Sequence, residues 1–211
     1  MAELPRVKVC GLTRSADVQV ALDAGADALG FVHHAPSPRS IEPTTVAGLV
    51  EGIPAGVATV AVLVDATPEV ARGHLVVSGV GWVQLCGSED PELWRGFDAP
   101  ILRRLPVDAT AEEEVARWSG IATGFVLDHP SAPGGTGLGV DLELAARLSR
   151  MAPCLLAGGM AAENVAERIR AVRPFGVDGS SRLETAPGAK DSLRVEAFVA
   201  TARETLGEIE S

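Results

Sequence analysis

Gly25-Ala26-Asp27-Ala28-Leu29-Gly30-Phe31 closes one segment of helical periodicity and opens an unbroken apolar run. The phrase returns as Gly79-Val80-Gly81-Trp82-Val83 and as Gly120-Ile121-Ala122-Thr123-Gly124-Phe125. Each time a glycine ends a helix and a strand follows, so the chain repeats one β-then-α unit. Working outward, short apolar runs begin near Val7, Ala28, Ala58, Trp82, Ile101, Gly124, Cys154 and Gly176. Between them Val165, Ile169 and Val172 fall at i, i+4 and i+7, and Leu144 with Leu148 at i and i+4, the spacing of one helix face. Ser15-Ala16-Asp17 and Asp141 read as helix starts. The runs are continuous rather than alternating, as strands covered on both faces are. Eight such units predict a (β/α)8 TIM barrel of eight parallel strands, one domain over residues 1–211. A doubly wound open sheet would want a glycine fingerprint after the first strand, and Cys10-Gly11-Leu12 is not one. The fourth helix, near residues 91–96, reads as short, and the fifth follows Asp108-Ala109-Thr110 with Glu112-Glu113-Glu114 in its first turn, a solvated start that the helix dipole favours.

Composition limits the function classes. With 46% apolar and 22% charged residues the chain buries a real core and is not disordered. A net charge of −10, with Lys8 and Lys190 the only lysines, argues against nucleic acid and against anionic membrane as partners. Small anions are not excluded, because backbone N–H groups bind them whatever the net charge. Three cysteines without a C-x-x-C spacing fit a reducing cytoplasm without disulfides or structural zinc. The N-terminus does not read as a signal peptide, and the longest apolar stretch, residues 57–64, is too short to span a bilayer.

In a barrel the chemistry sits in the loops after the strands. Cys10 ends the first strand and is released by Gly11 into such a loop, although a free cysteine is more often a small buried hydrophobe. Asp128 ends the sixth strand, where a carboxyl is solvated, paired or used, and restricted solvation suits a proton donor. His129 should point elsewhere, since side chains alternate about a strand. Arg39, stiffened by Pro36 and Pro38, is placed to clamp a carboxylate, or else to pair at the surface with Glu42. Glycines crowd the last three loops: Gly134-Gly135-Thr136-Gly137, Gly158-Gly159 and Gly179-Ser180-Ser181. Each alone is turn punctuation; together after strands six to eight they point to a phosphate held by backbone N–H groups. No lysine follows them, so this is not a Walker loop. Lys8 shares side-chain parity with Cys10, and Asp178 on the last strand is its expected partner inside the barrel; a charged Lys8 would favour thiolate at Cys10. Cys154 opens its strand and reads as core. His33 and His34 cannot both ligate one metal from a strand, His74 has no evident partner, and no metal-ligand spacing appears.

Taken together, VKVCGLT, DAGADALGFV followed by SPRSI, VQL at Gln84, LDHPSAPGGTG, LAGGMAAENV and VDGSSRLE with PGAKD make the chain resemble, nearly end to end, the phosphoribosylanthranilate isomerases of tryptophan biosynthesis. The resemblance implies a general base at Cys10, a general acid at Asp128 and Arg39 on the anthranilate carboxylate. Gln84 and Cys86 fall at substrate-binding positions. Gly135, Thr136, Gly158, Gly159, Gly179, Ser180, Ser181 and Arg182 surround the 5′-phosphate. It also implies an Amadori rearrangement without metal or redox cofactor, a phosphorylated sugar-anthranilate as the partner molecule, and a monomer or homodimer in the cytoplasm. The chain departs from the family pattern at Cys86, usually His; at Arg182, usually Gly; at Gly179, usually aliphatic; and at Asp65, often Asn. Two other readings stand beside it. One is a related histidine-pathway or dual-substrate sugar isomerase, against which Cys10 and the short length argue. The other is a phosphosugar-binding barrel without catalysis, against which intact Cys10, Asp128 and Arg39 argue.

Overall fold

The computed structural model describes residues 3–131 and 138–210. Eight strands run parallel, β1 Val7–Cys10, β2 Ala28–His33, β3 Ala58–Leu63, β4 Trp82–Leu85, β5 Ile101–Pro106, β6 Gly124–Asp128, β7 Cys154–Leu156 and β8 Gly176–Gly179. Each pairs with the next and β8 pairs with β1, so the sheet closes into a barrel without an edge. Among the described residues seven α-helices cover it: α1 Ser15–Asp23, α2 Pro43–Val50, α3 Pro68–Ser78, α4 Ala111–Arg117, α5 Leu142–Met151, α6 Ala162–Val172 and α7 Ser192–Glu210.

Local chemistry explains the element ends. Asp141 caps α5, its carboxylate accepting from the N–H groups of Glu143 at 2.9 Å and Leu144 at 3.0 Å. Gly79 ends α3 in the left-handed region, φ 74°, and donates to Leu75 O at 2.9 Å, which is how the repeated glycine phrase turns a helix toward a strand. α1 starts at Ser15 as expected, without a side-chain cap, and Asp17 in its first turn is taken by Arg14 at 2.7 and 2.9 Å and by the Lys190 N–H at 3.0 Å. The fourth connection is a single 3₁₀ turn, Pro91–Trp94, capped by Asp90, in which the buried Trp94 fills the wall that a full helix would cover. A second departure from expectation is a two-stranded hairpin after β8, β9 Glu184–Ala186 and β10 Ala189–Lys190, turning at Gly188 with φ 80°.

The core has two layers. Between barrel and helices lie Phe31, Leu85, Leu105, Phe198 and the Val165–Ile169–Val172 face of α6, all buried as the spacing predicts. Inside the barrel Ala28, Val60, Trp82, Leu102, Val126 and Leu155 form a second cluster over Leu4. Fully burying a large aliphatic or aromatic side chain contributes roughly 1.5–3 kcal/mol, so these layers hold the strands that aim the site. Polar inward positions gather at the other end. In register, Lys8 stands beside Ala28 on one side and Asp178 on the other. Lys8 Nζ donates to Asp178 Oδ2 at 2.9 Å in full burial, as side-chain parity predicts.

Candidate active site

A cavity of about 430 Å³ opens at the carboxyl ends of the strands. Its wall carries Cys10, Arg39, Gln84, Cys86, Asp128, Gly158, Gly159, Ser180, Ser181 and Arg182, so six strand ends and the loops after them bring the expected residues to one place. Gly179 does not reach it: a side chain there would meet Phe198 at 2.7 Å, so this glycine serves the packing of α7. Gly135 and Thr136 lie outside the described residues.

On the β1 side the Cys10 thiol is buried against Gly30 and Lys8. A Cβ on Gly30 would come within 2.7 Å of Cys10 Sγ and 3.2 Å of Lys8 Nζ. Burial pushes the thiol above its ordinary value, and Lys8 pulls it back. Lys8 itself, which burial alone would neutralise, is held ionised by attraction to Asp178 and Cys10. Ser180 Oγ donates to Cys10 O at 3.1 Å and fixes the strand end.

Arg39 packs over Gly11 and donates to Glu184 through Nε at 2.9 Å and Nη2 at 2.7 Å. Its partner is therefore Glu184 of the hairpin and not Glu42. Lys190 Nζ donates to the same carboxylate at 2.7 Å. Burial would push Glu184 up, but the two cations hold it below the usual carboxylate range. The hairpin is tied to the β1 loop by the Thr13 hydroxyl on Gly188 O at 2.6 Å.

Across the barrel, Asp128 Oδ2 accepts from Arg104 Nε at 3.2 Å and Oδ1 from the His129 N–H at 2.8 Å. His129 turns to Ser131, 2.7 Å away, and does not line the cavity. Arg104 does line it. Its neighbour Arg103 points the other way, over the Trp118 ring at 4.9 Å and onto Glu89. Gln84 Nε2 donates to Cys86 Sγ at 3.4 Å, and burial pushes that thiol up to about 12. Gln84 Oε1 is buried without an acceptor's partner among the described residues.

The third wall is built from the β7 and β8 loops. The carbonyls of Gly158 and Gly159 are tied outward, to Arg168 Nη1 at 2.6 Å and Asn164 Nδ2 at 2.9 Å. Among the described residues the N–H groups of Gly158, Gly159, Ser181 and Arg182 have no internal acceptor. Unpaired backbone donors at a cavity wall suit an anion. Arg182 is half exposed and reaches away to Glu163 at 2.7 Å. Sequence reasoning missed Arg104, Glu184 and Lys190. Strand parity would have found Arg104, since Leu102 and Arg104 share the inward face. Outside the cavity, His74 has a partner after all, its ring 4.6 Å from that of His33. Among the described residues no three His, Cys, Asp or Glu side chains gather as a metal site.

Residues 7–201 match the family model of N-(5′-phosphoribosyl)anthranilate (PRA) isomerase. The chain belongs to that family. The family's enzyme from Myxococcus xanthus is 42% identical over 94% of this chain and 96% of its own length. The crystal structure of the Thermus thermophilus phosphoribosyl anthranilate isomerase is 33% identical, covers 94% of this chain and 98% of that one, and superposes with a TM-score of 0.86. A further structure of a phosphoribosyl anthranilate isomerase, in complex with reduced 1-(o-carboxyphenylamino)-1-deoxyribulose 5-phosphate, is 30% identical with a TM-score of 0.84 over 95% of this chain and all (100%) of that one. The chain is thus a TIM-barrel enzyme, an isomerase of tryptophan biosynthesis acting on a small phosphorylated molecule. Among its described residues no helix is long and apolar enough to cross a membrane.

Proposed function

We propose that this barrel, one domain over residues 1–211, converts N-(5′-phosphoribosyl)anthranilate to 1-(2-carboxyphenylamino)-1-deoxyribulose 5-phosphate with Cys10 as general base and Asp128 as general acid. The phosphate rests on the free N–H groups of Gly158, Gly159 and Ser181, with Ser180 and Arg182 at its edge. Arg39 offers its remaining Nη1 to the anthranilate carboxylate, and Gln84 Oε1 accepts from the sugar. Asp128 gives a proton to the ribose ring oxygen, the C1′–O bond breaks, and the nitrogen lone pair forms a Schiff base. Cys10 thiolate removes the proton on C2′, those electrons make the C1′–C2′ double bond, and the C1′=N π electrons return to nitrogen, giving an enolamine. Protonation at C1′ with loss of the enol proton leaves the ketone. Substrate and product are isomers, so the reaction consumes no oxidant or reductant. The remote phosphate holds the sugar in reacting geometry, which is where its binding energy contributes to rate. Phosphate binding and a cytoplasmic location belong to this reading.

One observation carries it. Cys10, Asp128 and the free amides line one cavity large enough for the substrate. The test is a fluorescence assay of phosphoribosylanthranilate loss, run beside the histidine-pathway substrate. The expected outcome is saturable turnover of the first and none of the second. Absence of turnover of phosphoribosylanthranilate would overturn the reading, and turnover of both would replace it by a dual-substrate enzyme.

A further inference from the structure

Arg104 is a buried cation whose counter-ion has to disappear during the proposed reaction. Its side chain is 6% exposed, and among the described residues its one charged partner is Asp128, through a single Nε bond of 3.2 Å. Nη2 is spent on backbone, the carbonyls of His129 at 2.7 Å and Ser131 at 3.5 Å. Nη1 has no partner among the described residues, and Arg104 lines the cavity. With Asp128 ionised the pair is balanced. An acid must carry its proton when it acts, however, and a neutral Asp128 leaves a guanidinium stranded in a low-dielectric wall. Such a charge is strongly disfavoured unless another anion takes it.

Among the described residues no other anion in or beside the cavity is free for it: the Cys10 sulfur lies against Lys8. Glu184 is bound by Arg39 and Lys190, Asp178 by Lys8, and Cys86 is a protonated thiol. The incoming molecule brings two anions. Its phosphate belongs on the β7 and β8 loops, two or more strands from β5, which at about 4.8 Å per strand is roughly 10 Å away. The carboxylate is the one free to reach Arg104. Arg39 alone serves it poorly, since two of its three nitrogens are held by Glu184.

We propose that Arg104 is a second carboxylate-binding and specificity-determining residue: its Nη1 takes the substrate's aryl carboxylate, which replaces Asp128 as counter-ion and frees Asp128 to hold a proton. This rests on the acid role given to Asp128. It also gives the β5 arginine a task at the mouth where this chain carries a neutral thiol, Cys86, after Gln84.

Calorimetric titration of the full-length protein tests it with two stable ligands, reduced 1-(2-carboxyphenylamino)-1-deoxyribulose 5-phosphate and the same compound without its carboxylate. The wild type should prefer the carboxylated ligand. Arg104→Met should lose about tenfold or more of that preference, the scale of one charge-assisted hydrogen bond, while binding of the decarboxylated ligand changes by less than about twofold. Equal weakening of both ligands, as phosphate binding or a purely structural role gives, overturns the proposal. So does a preference unchanged from wild type. If Arg104→Met does not fold, Arg104→Met with Asp128→Asn is compared with Asp128→Asn alone, which removes the stranded carboxylate and is read the same way. Turnover by the wild type is measured in parallel. Its absence counts against the isomerase reading, whereas unchanged preference with normal turnover counts only against Arg104.

Discussion

The residue that sets the thiol's position has no side chain. Gly30 faces Cys10 across the β1–β2 pair, and the space a methyl group would need is already held by Cys10 Sγ and Lys8 Nζ, at 2.7 and 3.2 Å. Gly30→Ala should push the thiol off line while the barrel stays closed. A displacement of the order of 1 Å costs about a hundredfold in rate, against an overpacking penalty of about 1–3 kcal/mol in stability. Steady-state kinetics beside thermal melting checks this, and a folded Gly30→Ala with wild-type turnover would refute it. Lys8 acts at the same scale. Burial makes the thiol harder to ionise and the ammonium beside it works the other way. Lys8→Met should strand Asp178 and destabilise the fold by about 3–5 kcal/mol, and adding Asp178→Leu should restore most of that loss in urea unfolding. A double variant no more stable than Lys8→Met would show that the pair is not what Lys8 contributes.

At the scale of elements, the β9–β10 hairpin closes over the β2 loop through one carboxylate, Glu184, shared by Arg39 of that loop and Lys190 of the hairpin itself, and over the β1 loop through the Thr13 hydroxyl on Gly188 O. That carboxyl is held below its usual range, so it binds a proton less readily folded than unfolded. Its contribution is therefore full above the unfolded value, about 4.3, and is lost as pH falls toward the lower folded value. Glu184→Gln should be less stable than wild type by about 3 kcal/mol near neutral pH, and the gap should narrow on acidification below about pH 4. Urea midpoints from pH 3 to 7 measure it; a gap independent of pH would mean that the ion pairs are not its source. Arg39 in Glu184→Gln loses the partner that aims it, so the Michaelis constant should rise.

For the whole molecule, the decisive event is closure of β8 on β1. Gly176 lies at that seam, where a Cβ would sit 2.3 Å from Arg6 O and 2.7 Å from Leu155 Cδ2. Gly176→Ala should cost about 3 kcal/mol or more, because backbone cannot yield as a side-chain tip does. Gly73, inside α3 with nothing within 4 Å of a Cβ, makes the matched control, and Gly73→Ala should gain about 0.5–1 kcal/mol. Similar effects at both positions would contradict the seam argument. The barrel itself was legible, since continuous apolar runs and glycine stops are backbone requirements written locally. Cys10, Asp128 and the paired Lys8 and Asp178 followed from strand ends and parity. Less legible were contacts that exist only once distant segments meet. Glu184 reaches Arg39 from 145 residues away, and nothing near either announces it. The 3₁₀ turn at Pro91 differs from a short helix by one hydrogen-bond step, below what periodicity resolves. Arg104 was within reach of the parity rule that found Lys8.

The central claim is that a thiol on β1 and a carboxyl on β6 work on one substrate from opposite walls of one cavity. The measurement that tests it most directly is turnover of phosphoribosylanthranilate by Cys10→Ser and by Asp128→Asn, each verified as folded by circular dichroism. Both should fall at least about a hundredfold below wild type. A near-normal rate in either folded variant would contradict the role assigned to that residue, and in both would leave the cavity without its chemistry.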